Sequence, residues 1–311
     1  MTHEGTVRER LVQGGVMPPM ITPLRPDRTV DVASTARLAS GLRAAGCAGV
    51  LVLGSTGEGP HLDVAAGETV VGTVAGAFDG LVVANAVGSS TVEAALAAAR
   101  WKQAGADLIL APPPLGFPLS DTELKRHFER VAEAAGEAVL AYNVPARVPT
   151  AVPPSVLGDL VRAGVLAGVK DSSGDLDNHR REILAMAGTS GVGLTGSETC
   201  VDAAVQIGFV GSIPGLSNVY PRSEIALLEA AKAGRWDEAR NRQESIVAAW
   251  QLYFAPLGEA SFTSVAVGAL KQALVCAGVI ESATLTEPFL PVTEQIVRHV
   301  ERHLRSFPVE L

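Results

Sequence analysis

The sequence predicts an α/β fold: a (β/α)8 barrel of the TIM type with a C-terminal three-helix appendix. Three observations carry this expectation. Short apolar runs alternate with longer amphipathic stretches through residues 1–232. There are eight such runs, spaced widely enough for parallel crossovers. From residue 233 the alternation stops and helical patterns alone follow. Eight parallel units close naturally into a barrel. An open, doubly wound sheet is the rival. It favours a Gly-x-Gly-x-x-Gly turn after the first strand, and no such turn follows Gly15.

The expected strands are 15–21, 49–53, 81–86, 107–111, 138–142, 166–170, 192–195 and 209–213. Amphipathic stretches between them include 31–46, 63–77, 91–104, 121–135 and 178–187. Several open on Asp, Thr or Asn, as helix N-caps do. Several close on a glycine: Gly46, Gly105, Gly136, Gly164 and Gly188. Beyond them, 236–254, 261–277 and 292–304 read as three helices. The chain therefore divides into a barrel, 1–232, carrying the active site, and a helical extension, 233–311. The extension is too short and too continuous with the barrel to stand as an independent domain. It packs on the barrel or builds an oligomer interface.

Composition narrows the function classes. With 311 residues, the chain can bury one large core or two ordinary ones. Hydrophobic residues make up 47% and charged residues 19%, the profile of a compact enzyme rather than a disordered chain. The net charge is −8 with no basic stripe, which argues against nucleic acid as a partner. Cys47, Cys200 and Cys276 lie far apart without metal-ligand spacing. Cys47 and Cys276 fall in apolar stretches and read as buried structural thiols, a usage that suits a reducing compartment. Residues 1–10 hold no apolar h-region, so no signal peptide is expected. No apolar run approaches the ~18 residues of a membrane helix. A cytoplasmic protein without a membrane partner is expected. His61, His127 and His179 lack metal spacing and read as surface or helix residues.

Lys170 is the most informative residue. It ends the apolar run 165–169 and is followed at once by Asp171-Ser172-Ser173-Gly174-Asp175, a turn. An ammonium in a barrel interior loses hydration, which is costly. The other four lysines, Lys102, Lys125, Lys232 and Lys271, lie in helical segments where the charge can stay in water. A desolvated lysine has a depressed pKa and can attack a carbonyl carbon. The alternative is a structural ion pair with Asp171 or another buried acid.

Two further clusters fall at strand ends, where barrels carry their chemistry. After the second strand comes Gly54-Ser55-Thr56-Gly57-Glu58-Gly59. Two hydroxyls among three glycines make a backbone nest suited to a carboxylate; a plain flexible loop is the bland alternative. The fifth strand ends at Tyr142-Asn143-Val144-Pro145-Ala146-Arg147. A tyrosine there can carry protons when a neighbouring cation lowers its pKa, or can simply pack in the core. Arg147 reads as a surface partner of a helix carboxylate, with anion binding at the rim as the alternative. Ser197 and Glu198 read as caps of the next helix, with contact to substrate hydroxyls as the alternative. A lysine, a tyrosine and an anion nest on one rim suit a 2-oxo acid.

Gly54-Ser55-Thr56-Gly57-Glu58, Tyr142-Asn143-Val144-Pro145 and Val169-Lys170-Asp171-Ser172-Ser173-Gly174-Asp175 resemble the dihydrodipicolinate synthase / N-acetylneuraminate lyase family. Gly211-Ser212-Ile213-Pro214-Gly215 and Asn218 are similar to that family's eighth-strand loop. The likeness spans nearly the whole chain. It implies a Schiff-base class I aldolase, a homotetramer built as a dimer of dimers, with no cofactor and no metal. It further implies that Lys170 forms the imine and Tyr142 transfers protons. Ser55 and Thr56 would hold the carboxylate, Thr56 would also link to the tyrosine, the backbone of Ile213 would face substrate, and Arg147 would sit near the entrance. One departure stands out. The synthases carry Pro-Tyr-Tyr after strand four, whose second tyrosine crosses to the neighbouring subunit. Here that loop is Ala111-Pro112-Pro113-Pro114-Leu115-Gly116-Phe117, without a tyrosine. The Lys-Asp-Ser-Ser-Gly-Asp motif is more similar to branches that cleave 2-oxo-3-deoxy sugar acids or 4-hydroxy-2-oxo acids. The expected activity is thus a reversible aldol cleavage releasing or consuming pyruvate. Dihydrodipicolinate synthase, a sugar-acid dehydratase and a non-catalytic binding protein on the same barrel are the alternatives.

Overall fold

The computed structural model describes residues 6–311; residues 1–5 of the stretch expected to lack a leader lie outside the described residues. The strands are β1 (Gly49–Val52), β2 (Leu81–Asn85), β3 (Leu108–Ala111), β4 (Val139–Asn143), β5 (Leu166–Asp171), β6 (Val192–Thr195) and β7 (Gly211–Ser212). They run in parallel, in the sheet order β1 to β7.

The expected first strand, 15–21, does not form a regular strand. It makes two parallel bridges instead, Val16 to Ser212 of β7 and Pro19 to Leu51 of β1. Pro18 and Pro19 have no N–H to give, so a continuous ladder cannot form there. The remaining donors still close the cylinder: Met17 N bonds Ser212 O and Met20 N bonds Leu51 O, both at 2.9 Å. Asn218 staples the same segment, accepting from Ile21 N and donating to Pro19 O, each at 3.0 Å. The result is a TIM-barrel-like α/β fold with one irregular stave.

Strand side chains alternate between two cores. Leu51, Leu81, Val83, Leu108, Leu110, Leu140, Tyr142 and Leu194 fill the barrel interior. Val50, Val52, Val82, Ala84, Ile109, Val139 and Ala141 face outward into the layer under the helices. Strands covered on both faces read as unbroken apolar runs, which is why sequence found them.

The helices are α1 (Val7–Gln13), α2 (Val32–Ala44), α3 (Val64–Ala77), α4 (Thr91–Gln103), α5 (Asp121–Ala135), α6 (Pro154–Arg162), α7 (Leu176–Ala185), α8 (Val201–Ile207), α9 (Pro221–Lys232), α10 (Trp236–Ala249), α11 (Phe262–Cys276) and α12 (Glu294–Leu304). Asp31 and Asp63 cap α2 and α3 as expected. For α4, α5 and α7 the caps are Ser90, Ser120 and Asp175, earlier than the expected starts. Ser120 closes a capping box with Glu123, a pattern that favours the serine over the following Asp121.

Several burial expectations are overturned. Lys271 in α11 is fully buried, because Glu58 from the loop after β1 supplies its counter-charge at 2.5 Å. Cys276 is exposed at the end of α11, whereas Cys47 is buried as expected. His127 of α5 and His179 of α7 are helix residues, one of the two expected readings, and both are buried, 1% and 0% exposed. His127 is held between Thr91 Oγ1 at 3.0 Å and the Pro112 carbonyl at 3.1 Å. Among the described residues, no helix is long and apolar enough to cross a membrane.

Candidate active site

A bulge in β5 aims Lys170. Val139 pairs with Leu166, yet Leu140 pairs with Gly168, so one extra residue sits in β5. Leu166 and Val169 both face the outer layer, and Ala167 faces inward. Without the extra residue, strict alternation from Leu166 would send residue 170 outward. Gly168 makes the bulge possible: its φ is +146°, and a Cβ there would lie 2.1 Å from the Val192 carbonyl oxygen. Lys170 therefore shares the inner face with its register partner, Tyr142. It is 4% exposed, and its Nζ lies 4.3 Å from the Tyr142 ring centroid.

The structural ion pair does not form. Asp171 points to the outer face, where Asn143 Nδ2 reaches it at 2.6 Å and His179 Nε2 at 3.1 Å. Among the described residues, none of the ion pairs involves Lys170. Burial pushes the Tyr142 phenol up, but the Lys170 ammonium, a Ser172 hydrogen bond and the Arg147 charge outweigh it and hold the phenol below its ordinary range. Ser172 is among the groups that hold the phenol low, and Thr56 lines the same cavity as Tyr142.

Ser55 and Thr56 line a cavity of about 370 Å³ together with Tyr142, Lys170, Arg147 and Ile213. Their loop folds back tightly: Gly59 N bonds Gly54 O at 3.1 Å, and Glu58 adopts φ +58°. A Cβ on Gly59 would meet Leu53 O at 1.9 Å, so the glycine is sterically required. The Glu58 side chain is anchored by Lys271 Nζ, by Thr286 N at 2.8 Å and by Thr286 Oγ1 at 3.0 Å. Ile213 donates its N–H to Thr195 O at 2.7 Å. Arg147 is exposed at the mouth, with Nη2 3.5 Å from Thr263 Oγ1 of α11.

Ser197 and Glu198 do not cap α8. Cys200 occupies that position without a side-chain cap bond, and Ser197 Oγ lies 3.0 Å from Cys200 Sγ. Glu198 lines the cavity instead, accepting from Leu216 N at 2.8 Å and Tyr253 Oη at 3.1 Å. Its Oε2 is buried without a partner. Burial pushes this carboxyl up to about 7, against the pull of those two hydrogen bonds. Gly215 leaves the room: a Cβ there would lie 2.5 Å from Tyr253 Oη and 2.8 Å from Glu198 Oε1. Ser172 and Tyr253 are not singled out as site residues from sequence, whereas Glu198 reads there first as a cap, with contact to substrate hydroxyls as the alternative. Ser172 sits inside the lysine motif and was within reach; Tyr253 lies beyond the barrel strands, and only tertiary contact brings it in.

The model of the dihydrodipicolinate synthetase family matches residues 12–307, and the chain belongs to this family. It is accordingly a carbon–carbon lyase of the class I aldolase type. A 4-hydroxy-tetrahydrodipicolinate synthase of Anaeromyxobacter sp. (strain K) is 29% identical over 299 residues, 96% of this chain and 98% of that protein. YagE, a prophage protein of the dihydrodipicolinic acid synthase family from E. coli K12, solved with pyruvate, superposes with a TM-score of 0.85 at 24% identity, covering 94% of this chain and 98% of that one. The sialic acid aldolase of Ruminococcus gnavus superposes with a TM-score of 0.86 at 21% identity, covering 94% of this chain and 96% of that one.

Proposed function

We propose that the protein cleaves and forms a C–C bond of a hydroxylated 2-oxo acid, releasing or consuming pyruvate through an imine on Lys170. The observation that carries this is the inward, ion-pair-free Lys170 ammonium against Tyr142, in one cavity with Ser55 and Thr56. In this reading the Ser55–Thr56 loop takes the substrate carboxylate. The Lys170 ammonium gives up a proton, its amine attacks the adjacent ketone carbon, and that proton returns to the carbinolamine hydroxyl, which leaves as water to give a protonated imine. Tyr142 removes the proton from the C4 hydroxyl, the C3–C4 bond breaks, and its electron pair moves into the iminium as an enamine. An aldehyde departs. Protonation of the enamine at C3 and hydrolysis release pyruvate and the free lysine. Tyr142, held low by Lys170, suits the proton transfer, and Ser172 adds a hydroxyl to the relay. Arg147 and Ile213 bound the mouth of the same cavity.

The unpartnered Glu198 Oε2 favours a substrate with hydroxyl groups beyond C4, such as a 2-oxo-3-deoxy acid. Condensation of pyruvate with aspartate semialdehyde is the second reading, favoured by the name of the Anaeromyxobacter relative. The tyrosine-free loop after β3, with Phe117 83% exposed, favours the first. A cytoplasmic dimer of dimers, needing no cofactor, accompanies this reading. So does a functional division at residues 232/233, with the helical extension lending Tyr253 and α11 to the cavity wall.

Borohydride reduction in the presence of pyruvate, followed by peptide mass mapping, tests the proposal. The expected result is one reduced pyruvate adduct on Lys170; an unmodified Lys170, or an adduct on another lysine, overturns it. Pyruvate release from a panel of 2-oxo-3-deoxy and 4-hydroxy-2-oxo acids, beside condensation with aspartate semialdehyde, separates the two readings.

A further inference from the structure

We propose that Asp171, gripped by Asn143, Asn178 and His179 on the outer face of the barrel, is the positioning residue that holds Lys170, Ser172 and Tyr142 in working geometry. The inference rests on the imine mechanism proposed above. Asn143 pairs with Asp171 in the register step after Tyr142 and Lys170. Alternation puts the first pair outside and the second inside. The outer pair is thus the mirror of the reacting pair, one peptide unit away on each strand.

The grip on Asp171 is dense. Its Oδ2 accepts from Asn143 Nδ2 at 2.6 Å and from Asn178 Nδ2 at 3.0 Å. Its Oδ1 accepts from Ser173 N at 2.6 Å, Ser173 Oγ at 2.5 Å and His179 Nε2 at 3.1 Å. Ser172 is tied in as well, donating its N–H to Asn143 O at 2.9 Å. Asp171, His179 and Glu182 are 0% exposed, and Asn143 is 2% exposed.

A second carboxyl completes the arrangement. Asn178 Nδ2 reaches Glu182 Oε1 at 3.0 Å, and Glu182 Oε2 is buried without a hydrogen-bond partner. Burial, together with the nearby Asp171 charge, pushes Glu182 up to about 10, so at neutral pH it keeps its proton and can donate to Asp171. Asp175 of the α7 cap adds a further negative charge on this face. Burial alone would raise Asp171, but the His179, Glu182, Ser173 and Asn143 bonds overcome it and keep the group ionised well below the usual carboxylate range. A buried carboxylate is a costly way to gain stability. As a fixed point behind two strand ends it has a clear use, since a misplacement of ~1 Å at a reacting group can cost roughly 100-fold in rate.

Two near-isosteric variants test this. Asn143→Asp keeps the acceptor for Val152 N, bonded at 3.0 Å, but turns the donor facing Asp171 into an acceptor. Asp171→Asn removes the charge. The probe is pyruvate itself, through exchange of its methyl protons in deuterated water. The expected result is a kcat lower by roughly 10- to 100-fold with KM changed less than about threefold. A second readout is alkaline tyrosinate absorbance. Tyr142, with Lys170 and Arg147 facing it, ionises first, because burial pushes Tyr220 and Tyr253 up. Its midpoint should move upward in both variants as Lys170 and Ser172 draw away. Should Asp171→Asn not fold, Ser173→Ala, which removes one donor to Asp171, carries the same readouts. A lower Tm with kcat and midpoint unmoved marks the network as structural and overturns the inference. Trapping of pyruvate on wild-type Lys170 is run alongside. Failure there overturns the imine reading and this inference with it, whereas a normal trap with unmoved variants overturns this inference alone.

Discussion

The proposed mechanism asks Tyr142 to move a proton, and its surroundings fit that demand. Its phenol is buried, yet the Lys170 charge and the Ser172 hydroxyl hold it low. Tyr142→Phe should lower the rate of pyruvate methyl exchange by roughly 10²–10⁴-fold, while the borohydride adduct on Lys170 still forms. Exchange at wild-type rate would remove Tyr142 from the mechanism. His127 makes a separate prediction about stability. Burial pushes its imidazole down from 6.5 to about 4, against the hydrogen bond to the Pro112 carbonyl. The folded state therefore refuses a proton that the unfolded chain accepts. Above pH 6.5 both states are neutral and nothing is lost; as pH falls from 6.5 toward 4, stability on the order of 3 kcal/mol is lost. Urea unfolding of wild type and His127→Gln across this window should show a shallower acid loss in the variant. Parallel curves would contradict the assignment.

At the scale of elements, β5 carries the decisive detail. Sequence placed a lysine at the end of an apolar strand, and that much is visible because the run 165–169 has no other polar residue. Which way the lysine faces was not visible. That depends on a bulge registered against β4, a pairing between residues far apart in sequence. Gly168→Ala puts a Cβ 2.1 Å from Val192 O at a φ of +146°, and the cheapest relief is to lose the bulge. Lys170 would then turn toward the outer layer. Any folded Gly168→Ala protein should fail to trap pyruvate; full trapping would show that parity does not set the direction of Lys170. The capping shifts of α4, α5 and α7 and the failed cap by Glu198 share a simpler cause. Several polar residues stood next to each boundary, and local pattern did not choose between them.

Across the whole molecule, the distant partners were what sequence left unread. The alternation of apolar runs and helices announced the barrel, since its strands are buried on both faces. Nothing local announced that Lys271 of α11 would be drawn inside by Glu58, or that Tyr253 would reach Glu198. Both contacts tie the C-terminal helices to the cavity wall. The Lys271–Glu58 pair braces the loop bearing Ser55 and Thr56, so Lys271→Met should strand a buried carboxylate and cost about 3–5 kcal/mol of stability. It should also raise KM for pyruvate. A loss below about 1 kcal/mol by urea unfolding would show that the pair is not the brace described.

The proposed imine is a covalent bond at one amine, and a crystal soaked in pyruvate looks at that bond directly. Continuous density is expected from Lys170 Nζ to the ketone carbon, with the ligand carboxylate in the Ser55–Thr56 loop. Pyruvate bound there without the bond, with the Lys170 ammonium paired to a protein carboxylate, would contradict it.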